Sequence, residues 1–335
     1  MASGGQLRSS DRRSRAPRRV YTGYMGRPRL FRSLADLSAD LADAAQTVLS
    51  ASDEMRQIFV VPPQEFPSWA KYRFGPAHAL IFTDAGVIHV QTAACDQPAQ
   101  ARLAPTGAVH YIQVGLLLLY GRLEIGYAAD GRAQQMVVEF NTVGWDLLQP
   151  GLMELLRDVS AAPPPPDFGE RLDRARRGLN RAVETEDSLV SAAEIERLPF
   201  KFANGVKIYI LSPGERLLAL AFQPGLWTRR LLIFRRQLTP PIVLALTDRC
   251  VSMIEEERSV GGSHSYGSTF TYIPRRGVMG MRSEPAPLGR LITIELLVEG
   301  AEATREVELT TEVAAKWEAQ WRSHGGEWRD ETLQG

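Results

Sequence analysis

The sequence predicts a mainly β protein of the α+β class, built from two similar units, each a curved antiparallel sheet or barrel closed by a C-terminal helix. Three observations predict this. First, phrases from the first half return in order in the second: Ile58 to Glu65 as Ile208 to Glu215, Trp69 as Trp227, Thr83-Asp84 as Thr247-Asp248, Tyr111-Ile112 as Tyr272-Ile273, Gly121-Arg122-Leu123 as Gly289-Arg290-Leu291, and Glu139-Phe140 as Glu308-Leu309. A spacing of roughly 160 residues is too long for a solenoid repeat and suits a whole domain. Second, short apolar or β-branched runs are punctuated by Asp and Gly, as in hairpins. Third, helical period appears where each unit ends.

The elements follow in order. Residues 1–32 hold nine arginines, no lysine and one acid, Asp11, for a net charge of +8, while the remainder carries −8. Such an arm has too little apolar surface to pack and is predicted to be disordered, and no apolar stretch marks it as a secretory signal. Ser33 opens a helix with Leu34, Leu37, Leu41, Ala44-Ala45 and Val48 at helical spacing and Asp36 at the capping-box position. Residues 78–83 and 86–91 read as a hairpin about Asp84, and 122–127 with 134–140 as another about Asp130-Gly131. The run Val114 to Tyr120 carries four leucines and no charge, and reads as a buried strand, with an oligomer contact or a membrane-dipping loop as the alternative.

Trp145, Leu148, Leu152 and Leu155-Leu156 form a helical stripe that Pro150-Gly151 should kink or restart. Pro163 to Pro166 form a stiff spacer, and residues 168–198 a solvated helical connector. The second unit repeats the hairpins at 242–247 with 250–255 and at 290–298 with 304–309. Val313, Trp317 and Trp321 then fall on one helical face as a plug for the open end of the sheet. The division expected is therefore an arm (1–32), a first domain with its N-terminal helix (33–160), a linker (161–200), a second domain (201–325) and a tail (326–335).

These residues resemble bacterial pleckstrin-homology-like domains of the PH, GRAM and YokE type. The phrases Leu246-Thr247-Asp248, Tyr272-Ile273-Pro274-Arg275-Arg276 and Leu291-Ile292-Thr293-Ile294-Glu295 carry the resemblance best, and Phe82-Thr83-Asp84 and Tyr111-Ile112-Gln113 carry it in the first copy. The resemblance implies a curved sheet closed by a helix and a binding or scaffolding role, since a fold so widely shared names no single function.

The leading candidate site is basic. Arg229-Arg230 and Arg235-Arg236 bracket Leu231 to Phe234, and Arg275-Arg276 follow a strand. Guanidinium pairs of this kind beside a strand can grip phosphate headgroups bidentately. The plainer reading is a strand edge protected by charge. A second candidate is the Gly/Ser-rich loop 259–268 with His264 and Tyr266, which also reads as a hairpin tip. Asp84 and Asp248 recur, but at turns, where Asp has a backbone role. His78, Asp84 and His89 are a weak metal set, because strand alternation is expected to put the two histidines on opposite faces. Cys95 and Cys250 are not equivalent and suggest neither a disulfide framework nor a zinc knuckle.

The expectation is a cytoplasmic, non-enzymatic binding or scaffolding protein whose main ligand is another protein. No catalytic residues, metal or cofactor are implied. One alternative is a peripheral adaptor at the inner membrane surface that binds anionic headgroups through the arginines of the second domain. Another is nucleic-acid contact by residues 1–32. No oligomeric state follows from the sequence.

Overall fold

The structure is a computed structural model that describes residues 26–63, 65–66, 73–92, 98–160, 189–210, 215–230, 234–257 and 267–330. The proline spacer and most of the expected connector helix lie outside these residues. The chain is mainly β, in several antiparallel sheets with helices against them. In chain order the first half comprises β1 (Arg29–Phe31), α1 (Ala39–Gln46), β2 (Met55–Val61), β3 (Glu65–Phe66), β4 (Arg73–Phe74), β5 (His78–Thr83), β6 (Gly86–Gln91), β7 (Gln100–Pro105), β8 (Val109–Leu117), β9 (Tyr120–Ala129), β10 (Arg132–Asn141) and α2 (Trp145–Val159). The second comprises α3 (Ala192–Glu196), α4 (Phe200–Gly205) continued by π-helical turns to Ile210, β11 (Leu217–Gln223), β12 (Leu226–Arg230), β13 (Phe234–Thr239), β14 (Ile242–Thr247), β15 (Cys250–Glu256), β16 (Gly267–Pro274), β17 (Val278–Ala286), β18 (Gly289–Val298), β19 (Ala301–Leu309), α5 (Thr311–Ser323) and β20 (Trp328–Asp330).

The order of elements recurs from half to half. Each half has a strand, a two-stranded hairpin and three further strands in one sheet, then a three-stranded meander, then a helix. The hairpin turns are alike for a physical reason. In the first half Thr83 Oγ1 accepts from Gly86 N at 3.1 Å, and Asp84 Oδ1 accepts from Glu54 N at 2.7 Å. In the second, Thr247 Oγ1 accepts from Cys250 N at 2.8 Å, and Asp248 Oδ1 accepts from Arg216 N at 2.9 Å. Both aspartates thus tie the turn to the residue before the strand that pairs with the hairpin, β2 in one half and β11 in the other.

The structure moves two of the sequence anchors. Residues 206–210 are helical, so the counterpart of β2 is β11 and not the Ile208 phrase. Tyr111-Ile112 and Tyr272-Ile273 are not equivalents but neighbours, since Tyr272 pairs with Ile112 across two adjoining strands.

That pairing decides the architecture. β8 of the first half is hydrogen-bonded to β16 of the second, giving a seven-stranded sheet in the order β10-β9-β8-β16-β15-β14-β11. A five-stranded sheet β1-β2-β5-β6-β7 faces it in the first half, and a four-stranded sheet β19-β18-β17-β20 faces it in the second. The sheets are open and not the closed barrels that the sequence left as an option. The edge of β8 that would curl back on its own half is taken by β16, and the matching edge of β17 by β20.

Burial follows from strand alternation. Phe59, Leu80, Phe82, Ile112, Leu123, Ile125 and Phe140 point between the two sheets of the first half, where Leu148, Leu152 and Leu155 of α2 close the end. Helix α2 runs without interruption through Pro150, and Gly151 lets it lie against Phe82, whose ring would stand 2.8 Å from an added Cβ. In the second half Leu244, Leu246, Ile273, Met281, Ile292 and Ile294 are closed by Trp317 and Trp321 of α5, which is capped by Thr310.

The outer faces are covered as well. Leu41, Ala44 and Ala45 of α1 pack on Ile58, Ile81 and Ile88, while Phe202 and Ala203 of α4 share a core with Val243, Ala245 and Ile254. Ser33 makes its capping box, but on a single 3-10 turn, and α1 starts afresh after Ser38. Among the described residues no helix is long and apolar enough to cross a membrane.

Candidate recognition hairpin

The β12–β13 hairpin is inserted between β11 and β14, as β3–β4 is between β2 and β5. Proline makes the join: Thr239 leaves β13 and Pro240-Pro241 lead into Ile242, with no N–H to offer a ladder there. The register sets Thr228 opposite Arg236, Arg229 opposite Arg235, and Arg230 opposite Phe234. Paired residues share a face and alternate residues return to it, so positions 229 and 235 lie on the face of Trp227 and Gln237, and 230 and 236 on the other.

The register thus sets two arginines at one paired position, and Trp227 is 44% exposed although Gln237 opposite it is buried. The hairpin of the first half has Glu65, Phe66, Arg73 and Phe74 at its paired positions and no such arginine pair. Arg229, Arg230, Arg235 and Arg236 are therefore the basic residues that the fold collects on one element.

Arg275 and Arg276 do not join them. They follow Pro274, which pairs with Cys250, whereas the hairpin enters the sheet at Ile242. The length of β14 separates the two places, on the order of 17 Å at about 3.4 Å per residue. Both guanidinium groups also have structural partners: Arg275 Nη2 donates to the carbonyl of His324 after α5, and Arg276 Nη2 donates to Thr106 O at 2.8 Å, from the second half to the first. His264 and Tyr266 lie outside the described residues.

The histidines correct the parity expected from sequence. His89 opposes Leu80, and His78 lies two residues before Leu80, so both share the inner face. Their rings stack with centroids 5.2 Å apart, and His78 Nδ1 lies 2.9 Å from His89 Nε2, one ring donating to the other. Burial pushes His78 down to about 4 and His89 down to about 3, the latter helped by His78 and Arg102, so neutral imidazoles fill this end of the core at neutral pH. Asp84 is at the far end of the same strands, bonded to Glu54. Among the described residues no three His, Cys, Asp or Glu side chains are grouped to hold a metal ion. Cys250 is a buried free thiol whose pKa is raised by burial, so it is a poor nucleophile.

A cluster that sequence reading missed joins the halves. Glu124 of β9 is buried, and its Oε1 accepts from Tyr111 Oη at 2.7 Å and from Arg305 Nη2 of β19 at 3.0 Å. Its Oε2 pairs with Arg122 Nη2 at 2.7 Å. The Arg305 guanidinium lies 3.4 Å from the centre of the Tyr111 ring, and burial raises the phenol pKa. No linear motif could signal it, because Glu124 and Arg305 are far apart in sequence.

Neither a protein-family model nor a characterised protein matches this chain.

Proposed function

We propose that this chain is a non-enzymatic binding or scaffolding protein made of two pleckstrin-homology-like units, and that its main ligand is another protein, met by the β12–β13 hairpin. The twice-repeated order of sheet, meander and closing helix supports the fold reading. The binding reading is carried by one observation: Arg229 opposed to Arg235 on the face of a half-exposed Trp227. Tryptophan and arginine are the side chains that most often dominate protein interfaces, and four arginines on one element select an acidic partner. Asp84 and Asp248, the recurring carboxylates, are occupied in their turns.

The test is affinity capture with the full chain against its R229E/R235E and W227A variants, read by mass spectrometry. A partner enriched on the wild type and lost from both variants is expected. Captures identical for all three would overturn the reading. Binding to anionic vesicles that the same substitutions abolish would transfer the hairpin to the role of headgroup receptor.

A further inference from the structure

The turn between β8 and β9 departs from the neighbouring turns in composition. β9–β10 and β18–β19 turn on Asp130-Gly131 and Glu299-Gly300, each a charged residue at positive φ followed by a glycine. β8–β9 turns instead on Leu118-Leu119. Leu118 has φ 47°, and the two side chains are 69% and 66% exposed. A leucine in the left-handed region costs about 1 kcal/mol or more, and its exposure returns nothing to the core. Strain that the fold does not use points to function.

The surroundings indicate which. Thr142 holds the turn, its N–H donating to Leu119 O at 3.2 Å and its hydroxyl to Leu118 O, and the next residue, Val143, is 56% exposed. Gly144 lies against Pro28, whose Cγ would stand 2.5 Å from an added Cβ. Leu30, 43% exposed, is opposite Phe59. The Phe59 ring meets Phe140 edge-on at 5.9 Å, and Phe140 in turn packs on Gly121 beside the turn. Four exposed apolar side chains thus gather at one corner, and Arg27, Arg29 and Arg32, all exposed, enter it along the chain. Six more arginines precede them in sequence. Acids border the corner and are held by the fold: Asp146 in the first turn of α2, where the helix dipole favours it, Asp36 accepting from Arg32 N at 3.3 Å, and Glu139 accepting from Tyr120 Oη at 2.8 Å.

We infer that this corner is a membrane-contact site for a bilayer surface rich in anionic lipid. Leu118 and Leu119 enter the interfacial layer while the arginines of residues 27–32 meet the headgroups. Either signal alone binds weakly, and together they hold a protein at a surface. The site is on the first half and is independent of the β12–β13 hairpin.

The experiment is co-sedimentation of the full chain with vesicles of phosphatidylcholine alone and of phosphatidylcholine mixed with phosphatidylglycerol. Recovery with the mixed vesicles only, weakened by salt, is expected. L118N/L119S should lower the affinity about tenfold or more, the scale of losing buried leucine. Asn accepts the left-handed backbone, so the variant should keep the fold, which an unchanged circular-dichroism spectrum and thermal melt check. L119W should show blue-shifted emission that brominated lipid quenches. Equal recovery with both vesicles, or L118N/L119S binding as the wild type, would overturn the inference. So would loss of binding on R229E/R235E with L118N/L119S unaffected, or a dimer that L118N/L119S dissociates without change in vesicle recovery.

Discussion

The two halves of this chain share a scaffold and differ in what fills it. At one end of the first core stand His78 and His89, and the register of the hairpins places Ile242 and Met253 at the corresponding positions of the second. The closing helix of the first half offers Leu148, Leu152 and Leu155, and that of the second Trp317 and Trp321. The inserted hairpin is basic only in the second half. The difference teaches that turns and strand cores were constrained together while the ends of each core and the insertions were not. Distinct surface chemistry on matching frames is therefore the place to look for function.

The junction between the halves is the first place to break the comparison. Glu124→Ala removes a buried carboxylate that accepts from Tyr111, Arg305 and Arg122, and the loss of such charge-assisted hydrogen bonds costs about 3 kcal/mol. Urea unfolding should show it, and Glu124→Leu combined with Arg305→Leu should recover much of the loss. Because β8 and β16 share a sheet, the wild type should unfold in a single transition, whereas the Glu124 variant should separate the halves. Two unchanged transitions in both proteins would contradict a shared sheet.

The plugs give the next contrast. Trp317→Ala should cost about 3–5 kcal/mol and Leu152→Ala about 2–5, each by the cavity it leaves. Trp317 should stand at the upper end, since it also donates to Met281 Sδ at 3.3 Å.

The histidine pair sets an acid limit on the first half alone. Folded values of about 4 and about 3 lie below the ordinary 6.5, so below pH 6.5 the unfolded chain binds more protons than the folded one. Stability is complete above about pH 6.5 and falls toward pH 4 and 3, with a slope approaching about 1.4 kcal/mol per unit for each histidine. His78→Ile with His89→Met, which copies the second half, should flatten the thermal-melt profile between pH 4 and 6.5. The smallest effect is a gain: Leu118→Asn should stabilise the fold by about 1 kcal/mol through relief of its backbone strain.

The alternation of Leu80, Phe82 and Val87 and the Asp-Gly turn at 130–131 made the strands of the first half readable in advance, as did Val313, Trp317 and Trp321 for α5. Register was harder. The turns at 130–131 and 299–300 set an offset of 169, so Leu123 answers to Ile292, and the repeated Gly-Arg-Leu phrase is displaced by one residue. A slip of one residue reverses every side chain in a strand. The histidines differ: strands 78–83 and 86–91 have the expected register, and the pairing of His89 with Leu80 puts it on the face of His78. Leu116 to Leu119 read as buried because apolar composition does not say where a strand turns. Of the six arginines, four belong to one hairpin and two do not, a distinction set by which end of β14 each segment joins. The Glu124 cluster depended on contacts between halves that no local pattern encodes.

The pairing of β8 with β16 also has a history in time. When β8 leaves the ribosome, the strand that will cover its edge lies roughly 150 residues further along the message. Synthesis at about 5–20 residues per second leaves that edge uncovered on the order of 10 s, and an unpaired edge rich in apolar residues invites pairing with other nascent chains. The first half is therefore born with its most adhesive surface waiting for the second. Slowed translation between Leu117 and Gly267 should raise aggregation more than the same delay placed after Leu309.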